Sequence, residues 1–170
     1  TNKIVGAEAL TRWQRKDGKF MFPDQFIPLF EKNGFIIQLD FYIYECACKA
    51  IKKWEELEIE PVTISVNVSR VHLNTDDFVE KVMELVKRYK IKHEYLEFEL
   101  TESIFLDNTE SAISTMHELR EKGFYVSIDD FGAGYSSLNL LKDMTTDVLK
   151  LDKEFFGGGD MKQEEKIIVS

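Results

Sequence analysis

Short apolar, β-branched runs alternate with amphipathic helical patterns along this chain. Each run ends in a side chain that can bind a metal, carry charge or form hydrogen bonds. The runs read Ile4-Val5-Gly6-Ala7-Glu8, Ile64-Ser65-Val66-Asn67, Leu96-Glu97-Phe98-Glu99, Val126-Ser127-Ile128-Asp129-Asp130 and Val148-Leu149-Lys150-Leu151-Asp152. Alternation of this kind is the pattern of βα units around a parallel sheet. All strand C-termini of such a sheet lie on one face, so the five terminal groups are expected to converge there. That is the face on which open α/β sheets and (β/α)8 barrels carry their chemistry.

Strands are expected over 4–10, 62–68, 95–100, 124–129 and 147–151, with a polar turn around Asp17-Gly18. Pro23 suits a first helical position and Gly34 a helix stop. A long helix over 37–58 would carry Leu39, Ile43, Cys46, Ala50, Ile51 and Trp54 on its apolar stripe. Asp76 or Asp77 would cap the next helix, with Phe78, Val82, Leu85, Val86 and Tyr89 inward. A further helix over 108–122 would be capped by Asn108 or Thr109 and stopped by Gly123. The loop Phe131 to Ser137, a short helix near 138–142, a break at Gly157-Gly158-Gly159 and the opening of a helix over 161–170 complete the expectation. A full (β/α)8 barrel takes about 250 residues. A chain of 170 residues with five such strands is therefore either an open doubly wound sheet or a barrel missing strands at its ends.

The net charge of −9 argues against a DNA or RNA polymer as partner, since that binding relies on Lys and Arg to displace counterions. It leaves room for a small phosphodiester held through divalent cations. No run approaches the ~18 apolar residues of a membrane span, and no membrane contact is expected of this segment. Cys46 and Cys48 lie two apart, without zinc or redox spacing, and read as buried reduced thiols of a cytoplasmic protein. His72, His93 and His117 have no ligand spacing and read as surface or packing residues; Trp13 is expected near the site and Trp54 in the core.

In order, the motifs are Glu8-Ala9-Leu10-Thr11-Arg12-Trp13, Val66-Asn67-Val68-Ser69, Glu99-Leu100-Thr101-Glu102, Asp129-Asp130-Phe131-Gly132-Ala133-Gly134-Tyr135-Ser136-Ser137-Leu138 and Lys150-Leu151-Asp152. Together they resemble the EAL domain, over essentially the whole chain. The resemblance implies an α/β fold, the TIM-barrel-like (β/α)8 EAL barrel, incomplete in this chain. Residues 1–170 would be an interior part of one EAL phosphodiesterase domain, lacking the family's first strand and its C-terminal strands. The implied activity is hydrolysis of the bacterial second messenger cyclic di-GMP to linear pGpG with two Mg²⁺ or Mn²⁺ ions. The segment alone would be weakly active or inactive. A non-catalytic cyclic di-GMP receptor or scaffold is the alternative. The resemblance also leaves open a homodimer and a neighbouring GGDEF or sensory domain.

By the same resemblance, Glu8, Asn67, Glu99 and Asp129 would bind the first metal, and Asp129 with Asp130 the second. Lys150 would lie near the attacking water, although a structural pair with Asp152 or Asp130 competes with that role. Glu102 would anchor the loop after Asp130, or cap the helix that follows it. Arg12 would contact the ligand's phosphate or guanine, against a plain surface salt bridge, with Leu10 packed beside it and Asp152 completing the substrate contacts. Asp129 and Asp130 can reach one site only if the strand bends, because strand neighbours point to opposite faces. Gly132 is the residue expected to permit the bend.

Overall fold

The computed structural model of the chain describes residues 3–132, 146–152 and 168–169. Five strands pair in parallel in the order in which the chain visits them: β1 (Gly6–Glu8), β4 (Thr63–Asn67), β5 (Leu96–Thr101), β6 (Tyr125–Phe131) and β7 (Val148–Leu151). Helices α2 (Ile36–Glu56), α3 (Phe78–Tyr89) and α4 (Glu102–Glu121) alternate with them. A doubly wound sheet reverses its strand order and carries helices on both faces. Here the order never reverses, and Tyr44, Val82 and Met116 of the three helices join Val66, Phe98, Leu100, Val126 and Ile128 of the strands in one core. The architecture is a singly wound half-barrel, an incomplete (β/α) barrel.

Strand register sorts the side chains into two faces. Asn67 opposes Glu99, Glu99 opposes Ser127, and Thr101 opposes Asp129. These residues therefore share the face turned away from the helices, while the apolar residues between them are buried in the core. The alternation is that of a strand with one apolar and one polar side.

Strand β6 breaks this alternation where chemistry is expected. Ile128 pairs with Leu149 and Phe131 with Leu151, so β6 spends one residue more than β7 over the same span. Asp130 absorbs the bulge with φ +55°, a left-handed conformation that Asp tolerates better than most residues. A regular strand would drive Asp130 into the helix layer. With the bulge, Phe131 fills the core at 3% exposure and Asp130 stays exposed. The bend thus sits on Asp130 itself, two residues before the expected position, and Gly132 follows at φ +94°.

Other expectations shift. The Asp17-Gly18 turn closes a hairpin of β2 (Trp13–Gln14) and β3 (Phe20–Met21). Helix α1 (Pro23–Asn33) starts at its proline and ends at Gly34, φ +77°. The buried stripe of α2 is Tyr44, Ala47, Cys48 and Ile51, the i, i+3, i+4, i+7 set; Cys46 is exposed rather than buried. Asp77 precedes α3 without a side-chain cap and instead pairs with Lys81 at 2.6 Å. Helix α4 begins six residues before 108: Thr101 is the N-cap residue, and Ile104 and Phe105 extend the apolar stripe into the core. Thr109 lies inside the helix and bonds back to the Phe105 carbonyl. Ile168–Val169 form a strand, β8, antiparallel to β7, where a helix was expected. The loop beyond Gly132, the 138–142 helix and the triple glycine lie outside the described residues.

Candidate functional site

The strand ends hold four of the expected site residues in two separate hydrogen-bonded pairs, Glu8 with Asn67 and Glu99 with Lys150. Glu8 ends β1 and Asn67 ends β4; both are exposed, and Asn67 Nδ2 donates to Glu8 Oε1 at 3.3 Å. They line a cleft of about 350 Å³ with Leu10, Ser69, Arg70 and Thr101. Glu99, the next strand over, is fully buried. Its Oε2 accepts from Lys150 Nζ at 2.5 Å, and its Oε1 is buried with no donor among the described residues.

Burial pushes the Glu99 carboxyl up to about 7; Lys150 pulls it down, and the neighbouring Asp129 carboxylate pushes it further up. A buried acid facing a second acid is a costly arrangement unless a cation stands between them. Lys150 opposes the β6 bulge and reaches across β6 to Glu99 on β5. This partner is neither Asp152 nor Asp130, the two expected from the sequence. Asp152 follows β7, and its N–H donates to the Phe131 carbonyl at 2.9 Å.

Glu102, at the first position of α4, is 5% exposed, and its Oε2 accepts the Gly132 N–H at 2.7 Å. It ties the start of α4 to the chain just after the bulge. Glu102 Oε1 and Ser127 Oγ are the remaining buried oxygens without a partner among the described residues. Arg12 is exposed and its Nη1 donates to the Thr11 carbonyl at 2.8 Å. Arg12 and Trp13 line an adjoining aromatic groove, which shares Leu10 with the strand-end cleft. Trp54 packs against the core.

The donors fit a hard divalent cation. Carboxylate and amide oxygens are the ligands such ions prefer, and Glu99 offers an unpartnered buried oxygen beside Asp129. Among the described residues, however, no three His, Cys, Asp or Glu side chains close around a single point. The acids stand in separate contacts, Glu8 with Asn67 and Glu99 with Lys150.

Residues behind Asn67 were missed. Tyr44 Oη donates to the Asn67 carbonyl at 3.1 Å, and Asp40 Oδ2 accepts from His72 Nε2 at 2.9 Å. Burial raises the carboxyl of Asp40, and His72 opposes that rise. The heptad spacing of Tyr44 with Ala47, Cys48 and Ile51 was the available signal for Tyr44. His72, read as surface or packing, is 1% exposed.

The family model described as the EAL domain matches residues 1–170. The chain is 37% identical over 154 residues to the probable cyclic di-GMP phosphodiesterase PdeB of Escherichia coli, covering 90% of this chain and 29% of that protein. It is 33% identical over 155 residues to the cyclic di-GMP phosphodiesterase PA2567 of Pseudomonas aeruginosa, covering 91% of this chain and 26% of the relative. The chain thus spans less than a third of the length of these curated relatives. Among solved structures it is similar to PaMucR phosphodiesterase in its c-di-GMP complex, with a TM-score of 0.82 and 33% identity over 88% of this chain and 61% of that one. Bd1971, an EAL enzyme solved with cAMP and cyclic di-GMP, gives a TM-score of 0.78 at 29% identity, over 87% of this chain and 41% of that one. Motif order, half-barrel topology and these likenesses agree: the chain belongs to the EAL domain family.

Proposed function

We propose that the protein hydrolyses cyclic di-GMP to linear pGpG, with Mg²⁺ or Mn²⁺ held at the strand ends. The observation that carries this reading is Glu99: buried, with one oxygen unpartnered and a second acid beside it. The names of PdeB and PA2567 and the ligand in the PaMucR structure support the substrate. Glu8, Asn67, Glu99 and Asp129 would hold one ion, and Asp129 with Asp130 the other. Bound there, the ions supply Lewis acidity towards the phosphodiester and a water nucleophile at neutral pH.

The chain's own groups do the rest. Water adds at phosphorus and the P–O3′ bond breaks, leaving a 5′-phosphate and a free 3′-hydroxyl. Lys150 occupies Oε2 of Glu99 and leaves Oε1 for an ion; its charge also lies where negative charge develops. Glu102 fixes Gly132 and with it the bulge that carries Asp130. Arg12 suits a phosphate by its planar fork, Leu10 packs against the ligand beside it, and Asp152 completes the contacts. The reading places the protein in the cytoplasm, where this messenger is made. A neighbouring GGDEF domain is supported by the bifunctional cyclase and phosphodiesterase MucR, 32% identical over 167 residues. A homodimer is part of the same proposal. No helix among the described residues is long and apolar enough to cross a membrane.

The receptor alternative draws on one observation, the absence of a closed trio of acids among the described residues. Incubating full-length protein with cyclic di-GMP and Mn²⁺, then separating nucleotides by chromatography, decides between them. Formation of pGpG, abolished by EDTA, is expected; tight binding without turnover would establish the receptor.

A further inference from the structure

Helix α2 grips the chain where it leaves β4. Asp40 and Tyr44 are four residues apart and so share one helix face. Tyr44, fully buried, donates its hydroxyl to the Asn67 carbonyl at 3.1 Å. Asp40 Oδ2 accepts the Ser69 N–H at 3.4 Å. Between them, the Val68 N–H donates to the Glu99 carbonyl at 2.9 Å. Three consecutive residues beyond or at the strand end are thereby fixed, two of them by α2. His72 holds the Asp40 carboxylate from behind, its ring packed on Phe78 at 4.5 Å between centroids. Ser69 Oγ adds a bond to Glu31 Oε1 at 2.7 Å.

Packing alone does not call for this arrangement. A buried tyrosine hydroxyl needs a partner, and here the partner is the backbone of the residue whose side chain faces the cleft. The Asn67 side chain itself is exposed, with Glu8 as its hydrogen-bond partner. Ligand groups act only when held to within about half an ångström, which the supporting contacts must supply. We infer that Asp40 and Tyr44 form a positioning clamp that sets Asn67 for its ligand, with His72 locking the clamp. The inference rests on the metal site proposed above.

The test compares Tyr44→Phe, which deletes one oxygen, with Tyr89→Phe, which deletes the hydroxyl bonded to Glu45 on the same α2–α3 interface. Mn²⁺ affinity is read by electron paramagnetic resonance without substrate, and amide exchange of Val68 and Ser69 by mass spectrometry. Loss of a supporting hydrogen bond to a metal ligand costs about tenfold or more in metal affinity. Tyr44→Phe is expected to show that loss and faster exchange at 67–69, with β5 and β6 unchanged, while Tyr89→Phe matches the parent. His72→Gln, which keeps a donor for Asp40, should retain parental affinity, and His72→Leu should lose it. A Tyr44→Phe protein that binds Mn²⁺ like the parent overturns the clamp, as does an equal loss in Tyr89→Phe. A parent that binds no Mn²⁺ overturns the metal reading itself, and the clamp's role with it.

Discussion

Replacing Glu99 by Gln in metal-free protein changes how stability depends on pH, in a direction the structure dictates. The Glu99 carboxyl rises from 4.5 to about 7, chiefly through burial. The folded state therefore keeps a proton on Glu99 that the unfolded chain has released. Below about 4.5 both states are protonated and the contribution is fully present; it is lost as pH rises through the folded value near 7. Each pH unit in that window costs about 1.4 kcal/mol, so the parent loses about 3 kcal/mol from Glu99 between its two pKa values. Gln does not titrate. Urea unfolding in EDTA at several pH values should show the parent-minus-variant difference changing by about 3 kcal/mol between pH 4.5 and 7. Titrating groups remote from Glu99 cancel in that difference. Saturating Mn²⁺ should flatten the parent's slope, because the cation takes over the proton's role. A parent-minus-variant difference that stays constant from pH 4.5 to 8 would refute the reasoning.

Other expectations follow from single contacts. Glu8→Ala and Asp129→Asn should each abolish pGpG formation, measured by chromatography, and near-normal turnover in either would remove the two-metal reading. Asp147→Ala strips Arg120 of its 2.9 Å partner and the Val126 N–H of its 3.0 Å acceptor. It should cost about 2 kcal/mol in urea unfolding and leave Mn²⁺ affinity unchanged, since the pair sits at the opposite end of β6 from Asp129. Glu102→Ala frees the Gly132 N–H and loosens the bulge that carries Asp130; amide exchange there should accelerate, and Mn²⁺ affinity and turnover should each fall about tenfold.

Much of this site was legible because strand and helix periods are local. The run-and-helix alternation put Asn67, Glu99 and Asp129 at strand C-termini, hence at one end of the sheet, before any coordinates, and Gly34 and Gly123 marked helix ends by their need for positive φ. What stayed hidden depended on distance along the chain or on competing local signals. Lys150 and Glu99 are 51 residues apart, and no sequence pattern pairs them. Asn108 and Thr109 look like caps, yet Ile104 and Phe105 gain more by burial than a cap at 108 would return, so α4 starts earlier. The bulge at Asp130 was foreseen as a necessity but assigned to glycine, because the penalty of burying Asp130 in the helix layer appears only once β7 is paired. Tyr44 and His72 were hidden for the same reason: their partners lie on other elements.

Anomalous diffraction from crystals of the protein grown with Mn²⁺ and a non-hydrolysable cyclic di-GMP analogue tests the central claim most directly. The account requires a manganese peak within bonding distance of Glu99 Oε1, with Glu8, Asn67 and Asp129 drawn around it and Lys150 still on Oε2. A ligand seated at the strand ends with no manganese beside Glu99, or manganese bound elsewhere, would contradict it.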